Sequence, residues 1–166
     1  MLLTILLSIM MMAGLFLLLL GGVGFVQNKK FFSSAPQQIY DVVPDTKPER
    51  FKGQHTVGWM IIVLALALMG GAMVLGAWDG IRNEFGFWQF AVRFMAMLLL
   101  LKAFDVIFFD WVLLCNDGFN FFPHFYPETK AVLGRYLFGY NKMSHITHVI
   151  LFVPSVALLS WICTFF

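Results

Sequence analysis

Residues 87–114 read FWQFAVRFMAMLLLLKAFDVIFFDWVLL, a run apolar and long enough to cross a bilayer, yet it carries Arg93, Lys102, Asp105 and Asp110. A charged side chain at the centre of a lipid-exposed helix costs about 2.5–3.5 kcal/mol on the insertion scale, so such groups turn toward protein or water. A chain organised around this run must therefore enclose a polar interior with other membrane helices.

The rest of the chain supplies them. Only 12% of its 166 residues are charged, 60% are hydrophobic, and the mean hydropathy is +0.82. A soluble domain carries about 25% charged residues and has no use for so much apolar surface. Apolar runs of bilayer-spanning length lie at about 2–26, 57–78, 88–114 and 145–166. The expected fold is all-α: a polytopic integral membrane protein, a bundle of four transmembrane helices forming a single membrane domain over 1–166, with an aromatic interfacial loop between the third and fourth. The first run has no Lys or Arg before Lys29 and is longer than the apolar part of a signal peptide, so it reads as a retained span.

Loop charge gives the orientation. Lys29, Lys30, Lys47, Arg50 and Lys52 crowd residues 27–56, and Lys130, Arg135 and Lys142 fall in 115–144, whereas the opposite connection has only Arg82. Positive loops stay inside, so both of these loops are expected to be cytoplasmic in a multi-pass cell-membrane protein with both termini outside. Cys115 and Cys163 then lie about a bilayer apart, too far for a disulfide. With a net charge of +2 and no basic face with interleaved aromatics, no nucleic-acid partner is expected.

Pro36, Pro44 and Pro48 with mixed charges make 27–56 read as a solvated connector, with Lys29 and Lys30 toward lipid headgroups or a partner. Residues 115–144 hold too many rings for that role, and Pro123 and Pro127 break any long helix there. In the second run, Ala67 and Gly71, and Ala72, Gly76 and Gly80, recur at four-residue spacing, which allows close helix packing within the chain or between copies. Trp59, Trp78 and Trp88 are interface anchors, and Pro154 should kink the last helix.

The charges divide by position. Lys102 and Asp105, three apart at mid-depth, share a helix face and can pair. Arg93 falls on the other side at about 100° per residue and reads as an outer anchor paired with Asp79 or Glu84, the Arg93–Glu84 pair being the one carried forward. Asp110 groups with the histidines, because His55, His124, His145 and His148 all fall on the inner side. His124, His145 and His148 with Asp110 form a donor set of the kind that holds a divalent metal such as zinc or iron. Interfacial hydrogen bonding and proton relay compete with that reading, since no HExxH or ExxH pattern occurs. Nucleophilic chemistry has little support: Ser144 and His145 are sequence neighbours that do not face each other on a helix.

The function expected is an oligomeric channel or transporter-like protein with a polar path lined by Lys102, Asp105 and Asp110. Four spans enclose little space, which favours a homo-oligomer in the lipid bilayer. The alternatives are an inner-leaflet enzyme with a His/Asp site, or a non-catalytic subunit docked on a partner membrane protein through its small-residue face.

Overall fold

The computed structural model describes all residues except 33, 34, 36, 115–119 and 133–141, together with the side chain of Lys142. The readings placed on Cys115, Arg135 and the rings of 133–140 lie outside the described residues. The described residues are all-helical, 83% of them in helix, with no strand among them. Three helices are long and apolar enough to cross a membrane: Leu2–Val26, Gln54–Arg82 and Met143–Cys163.

Helix α1 (Leu2–Leu19) widens into a π-helical end, Leu20–Val26, and stops at Gln27 in the left-handed region with φ of 52°. Gly21, Gly22 and Gly24 thus change the winding of the helix instead of breaking it. A 3-10 turn (Lys29–Phe32) and a short helix α2 (Gln37–Val42) follow. Helix α3 (Gln54–Arg82) starts behind Gly53, whose φ of 87° only glycine adopts cheaply. Glu49 caps that start, accepting from the Gly53 and His55 N–H groups at 3.1 and 2.9 Å, and those two donors hold its carboxyl below the usual carboxylate range. Because of this cap α3 begins three residues before the expected span.

Helix α4 (Phe87–Phe104) follows a tight turn in which Gln89 caps the Gly86 N–H at 2.7 Å, and it runs straight into a π-helical segment, Asp105–Leu114. A short helix α5 (Phe121–Phe125), a 3-10 turn (Pro127–Ala131) and helix α6 (Lys142–Cys163) complete the order. In α6, Pro154 has no N–H for the carbonyl four residues back, and Ser155 Oγ donates to the Leu151 carbonyl at 2.8 Å.

Helix α1 packs along α3, α4 packs on both, and α6 packs chiefly along α4. The small residues of α3 are what allow the approach. A Cβ on Gly58 would sit 2.8 Å from the Val26 nitrogen, and one on Gly76 would touch Leu7 and Met97 at 3.4 and 3.5 Å. The stripe on this side is used within the chain. Two apolar cores result. The outer one joins Leu7, Met11, Ala72, Phe90, Phe94 and Met97 with Val156 and Cys163 of α6.

The second core corrects the expectation of a solvated connector at 27–56. Phe32, Ile39 and Val43 of that stretch are almost fully buried against Phe122, Tyr126, Leu113 and Leu114, with the Phe32 and Tyr126 rings 4.8 Å apart. Lys47 ties the two loops together, donating to the Phe125 carbonyl at 3.1 Å and to Glu128 at 3.0 Å while lying 4.5 Å from the Tyr126 ring centroid. Within the described residues, the connector and residues 120–132 of the aromatic loop form one folded cap over this end of the helices.

Two buried groups of this cap give measurable consequences. Gln54 Nε2 donates to the Phe25 carbonyl at 2.9 Å and to Gln27 Oε1 at 3.0 Å, and its Oε1 accepts from the Arg50 N–H at 2.8 Å. Gln54→Leu strands these partners and is expected to cost about 1–3 kcal/mol, read as a lower unfolding midpoint in detergent. The Tyr126 hydroxyl is buried with no hydrogen-bond partner among the described residues. Burial, with the nearby Glu128 carboxylate, pushes this phenol above its ordinary value. The folded state thus holds the phenol neutral while the unfolded chain ionises near pH 10. Stability is full below about pH 10 and falls above it by up to about 1.4 kcal/mol per pH unit. Tyr126→Phe should remove that alkaline slope and raise stability at neutral pH, as the difference between the two proteins' unfolding curves at pH 8 and pH 11.

Candidate functional site

The inner half of the 87–114 rod has two chemically different sides. Normal α-winding would set residues five apart on different faces, but the π segment bonds i to i+5, so Asp105 and Asp110 come onto the same side. Both line a cavity of about 70 Å³ whose other walls are Leu19, Phe109 and Leu114 and the cap residues Phe31, Phe32, Ala35 and Phe122. By volume this holds at least two waters, at about 30 Å³ each.

The other side of the rod borders a groove of about 600 Å³ between α4 with its π segment and α6. Its walls are apolar, with Ala103, Val106, Ile107 and Trp111 on one flank and Ile146, Val149 and Ile150 on the other, and Ala103, Ile107 and Trp111 are exposed on its open side. Two polar side chains interrupt it, Lys102 and His145.

Each of these reaches across to a carboxylate of the cavity side. Lys102 Nζ lies 2.6 Å from Asp105 Oδ2, and His145 Nε2 lies 2.9 Å from Asp110 Oδ2. Lys102 Nζ also approaches His148 Nδ1 at 3.4 Å, so the ammonium serves a carboxylate and an imidazole together. The other His145 nitrogen, Nδ1, is buried without a partner among the described residues. Two groove groups and two cavity groups are thus linked pairwise, and every one of the four can gain or lose a proton.

Of the three histidines grouped with Asp110, only His145 contacts it among the described residues. Among the described residues, no group of three or more His, Cys, Asp or Glu is arranged to hold an ion. His145 turns to Asp110, whereas His148, one turn on, faces the Lys102 ammonium, a cation where a metal would have to sit. His124 stacks edge-on against Phe125, 4.9 Å away in the cap, and His55 lies near Glu49 at the start of α3. Among the described residues, these side chains are thus not gathered around one point.

Arg93 is the buried outer charge, but its partner is Asp79 and not Glu84. Its Nη1 lies 2.7 Å from Asp79 Oδ2 and donates to the Gly76 carbonyl at 2.8 Å, and its guanidinium carbon lies 4.4 Å from the Phe85 ring centroid. Asp79 sits on the last turns of α3, facing α4, while Glu84 occupies the left-handed position of the turn with φ of 53° and is exposed.

Lys102 and Asp105 pair as their three-residue spacing allows, and Asp110, grouped with the histidines from the sequence, pairs with His145. That Asp105 and Asp110 share one side of the rod is marked only by the five-residue interval in DVIFFD, visible if π-winding is considered. The chain matches no family model, no curated protein and no solved structure.

Proposed function

We propose that the protein is a small transporter-like membrane protein in which protons pass between a lipid-facing groove and the inner aqueous side through the Lys102–Asp105 and His145–Asp110 pairs. On this reading residues 87–114 form a fourth span. The cap is cytoplasmic, in keeping with its excess of Lys and Arg, and both termini are outside. The observation that carries the reading is the two-sided arrangement: Lys102 and His145 line the groove, Asp105 and Asp110 line the cavity, and each pair bridges the two.

In the outer half Leu7, Met11, Phe90, Phe94 and Met97 pack as an apolar core. The groove opens sideways. The species that delivers or collects the proton is therefore dissolved in lipid, and a long-chain carboxylic acid has the required parts. Its chain suits the Val106, Ile107, Ile146 and Val149 walls, and its carboxyl suits Lys102 and His145. A carboxylic acid lodged there gives its proton to the His145 imidazole and leaves as the carboxylate through the open side of the groove, and Asp110 passes the proton to cavity water under the cap. The relay lies within one chain, so a second copy is not required for it.

Photo-crosslinking tests the occupant. Palmitate carrying a diazirine on its chain should label Ala103–Trp111 and Ile146–Ile150 in wild-type protein in bilayers, in competition with unlabelled palmitate and about tenfold less in Lys102→Met. Labelling spread evenly over the lipid-facing helices, or indifferent to the competitor, overturns the assignment.

A further inference from the structure

The two histidines at the start of α6 stand one turn apart, yet they meet opposite charges through different nitrogens. His145 reaches the Asp110 carboxylate through Nε2 at 2.9 Å, whereas His148 reaches the Lys102 ammonium through Nδ1 at 3.4 Å. Both contacts run from α6 to the rod. Lys102 Nζ is pinned from its own helix as well, 2.6 Å from Asp105 Oδ2.

The Lys102–His148 contact fixes the place of a proton. An ammonium has three N–H donors and no lone pair, so a group that meets it must accept. Neutral imidazole has a lone pair on one ring nitrogen and a proton on the other, and imidazolium has no lone pair to offer. His148 beside Lys102 is therefore neutral, with the lone pair on Nδ1 and the proton on Nε2. The charge on the donor keeps a contact of this length attractive. Asp105 balances that charge, and the other titratable neighbour on α6, His145, is turned to Asp110.

We infer that His148 is a positioning residue: its Nδ1 holds the Lys102 ammonium at the groove wall where the acid's carboxyl binds, a role that rests on the fatty-acid reading above. Lysine has a long, flexible stem, and a partly accessible carboxylate on the same helix is a weak tether for it. A second acceptor on a different helix fixes the ammonium from two directions and leaves one N–H for a ligand. The same contact divides the work of the two histidines. The His148 lone pair is spent on Lys102 and its other nitrogen already carries a proton, so the acid's proton goes to His145.

Solid-state NMR of protein carrying isotope-labelled histidine in bilayers reads the tautomer. At neutral pH His148 Nδ1 should resonate as an unprotonated ring nitrogen and Nε2 as a protonated one, both assigned by their loss in His148→Leu, and Lys102→Met should move the Nδ1 resonance. Competition of unlabelled palmitate with the diazirine probe reads the positioning. His148→Leu, which removes the acceptor, should weaken palmitate about fivefold, whereas His148→Asn, whose Oδ1 stands at the same remove from Cβ as Nδ1, should stay within about twofold of wild type. A protonated Nδ1, an Nδ1 resonance indifferent to Lys102→Met, or equal losses in His148→Leu and His148→Asn overturns the inference. The expected nitrogen pattern without any competed labelling in wild-type protein would sink the fatty-acid reading and keep His148 as the group that holds Lys102.

Discussion

Asp79→Ala is expected to destabilise the folded chain by about 3–5 kcal/mol, measured by reversible unfolding in mixed micelles. The substitution leaves the Arg93 guanidinium, 7% exposed and wedged under Phe85, without its counter-charge. Removing one partner of a buried ion pair costs far more than removing both, because the remaining charge is left in a low-dielectric site. Arg93→Met should cost less, since Asp79 is 30% exposed and can take up water. The double variant Asp79→Ala with Arg93→Met should recover most of the loss. A drop below about 1 kcal/mol for Asp79→Ala, or strict additivity in the double variant, would show that the pair does not hold α3 and α4 together.

Lys102→Met separates stability from activity in the inner half. The Lys102–Asp105 pair is partly accessible, at 11% and 29% side-chain exposure, so losing the ammonium should cost only about 1–2 kcal/mol. Proton movement should fall about tenfold or more, because Lys102 both orders Asp105 and touches His148. Pairing Lys102→Met with Asp105→Asn should restore stability, since both charges are gone, without restoring activity. A double variant that regains activity would assign the pair to packing alone.

The features legible in the sequence are those set by local spacing. Lys102 and Asp105 are three apart on a helix and pair as three-apart residues do, and the depth of Arg93 follows from its place in the run. The rest depended on tertiary choice. Asp79 and Glu84 lie equally within reach of Arg93 in a linear reading, and only the packing of α3 on α4, with Glu84 spent on the left-handed turn, selects Asp79. Asp110 joins Asp105 because the rod changes from α to π winding after Phe104, a change that no hydropathy period marks. The cap escaped because Phe32, Ile39 and Val43 are scattered among prolines and charges, too sparse to declare a core until Phe122 and Tyr126 are folded against them. The paired spacing of His145 and His148 is that of two metal ligands, and only their neighbours, Asp110 and Lys102, decide against it.

On the proposed relay, the Nδ1 of His145, without a partner among the described residues, and the cavity beyond Asp110 are the two ends. Its operation is read most directly as steady proton current into vesicles holding purified protein and palmitate, driven by a potassium diffusion potential and followed with an internal pH dye. Wild-type protein should carry a current well above protein-free vesicles with the same palmitate, and Asp105→Asn with Asp110→Asn should reduce it at least about tenfold while leaving palmitate labelling of the groove in place. A wild-type current equal to that of protein-free vesicles, or one unchanged by the paired Asp→Asn substitutions, would contradict the relay.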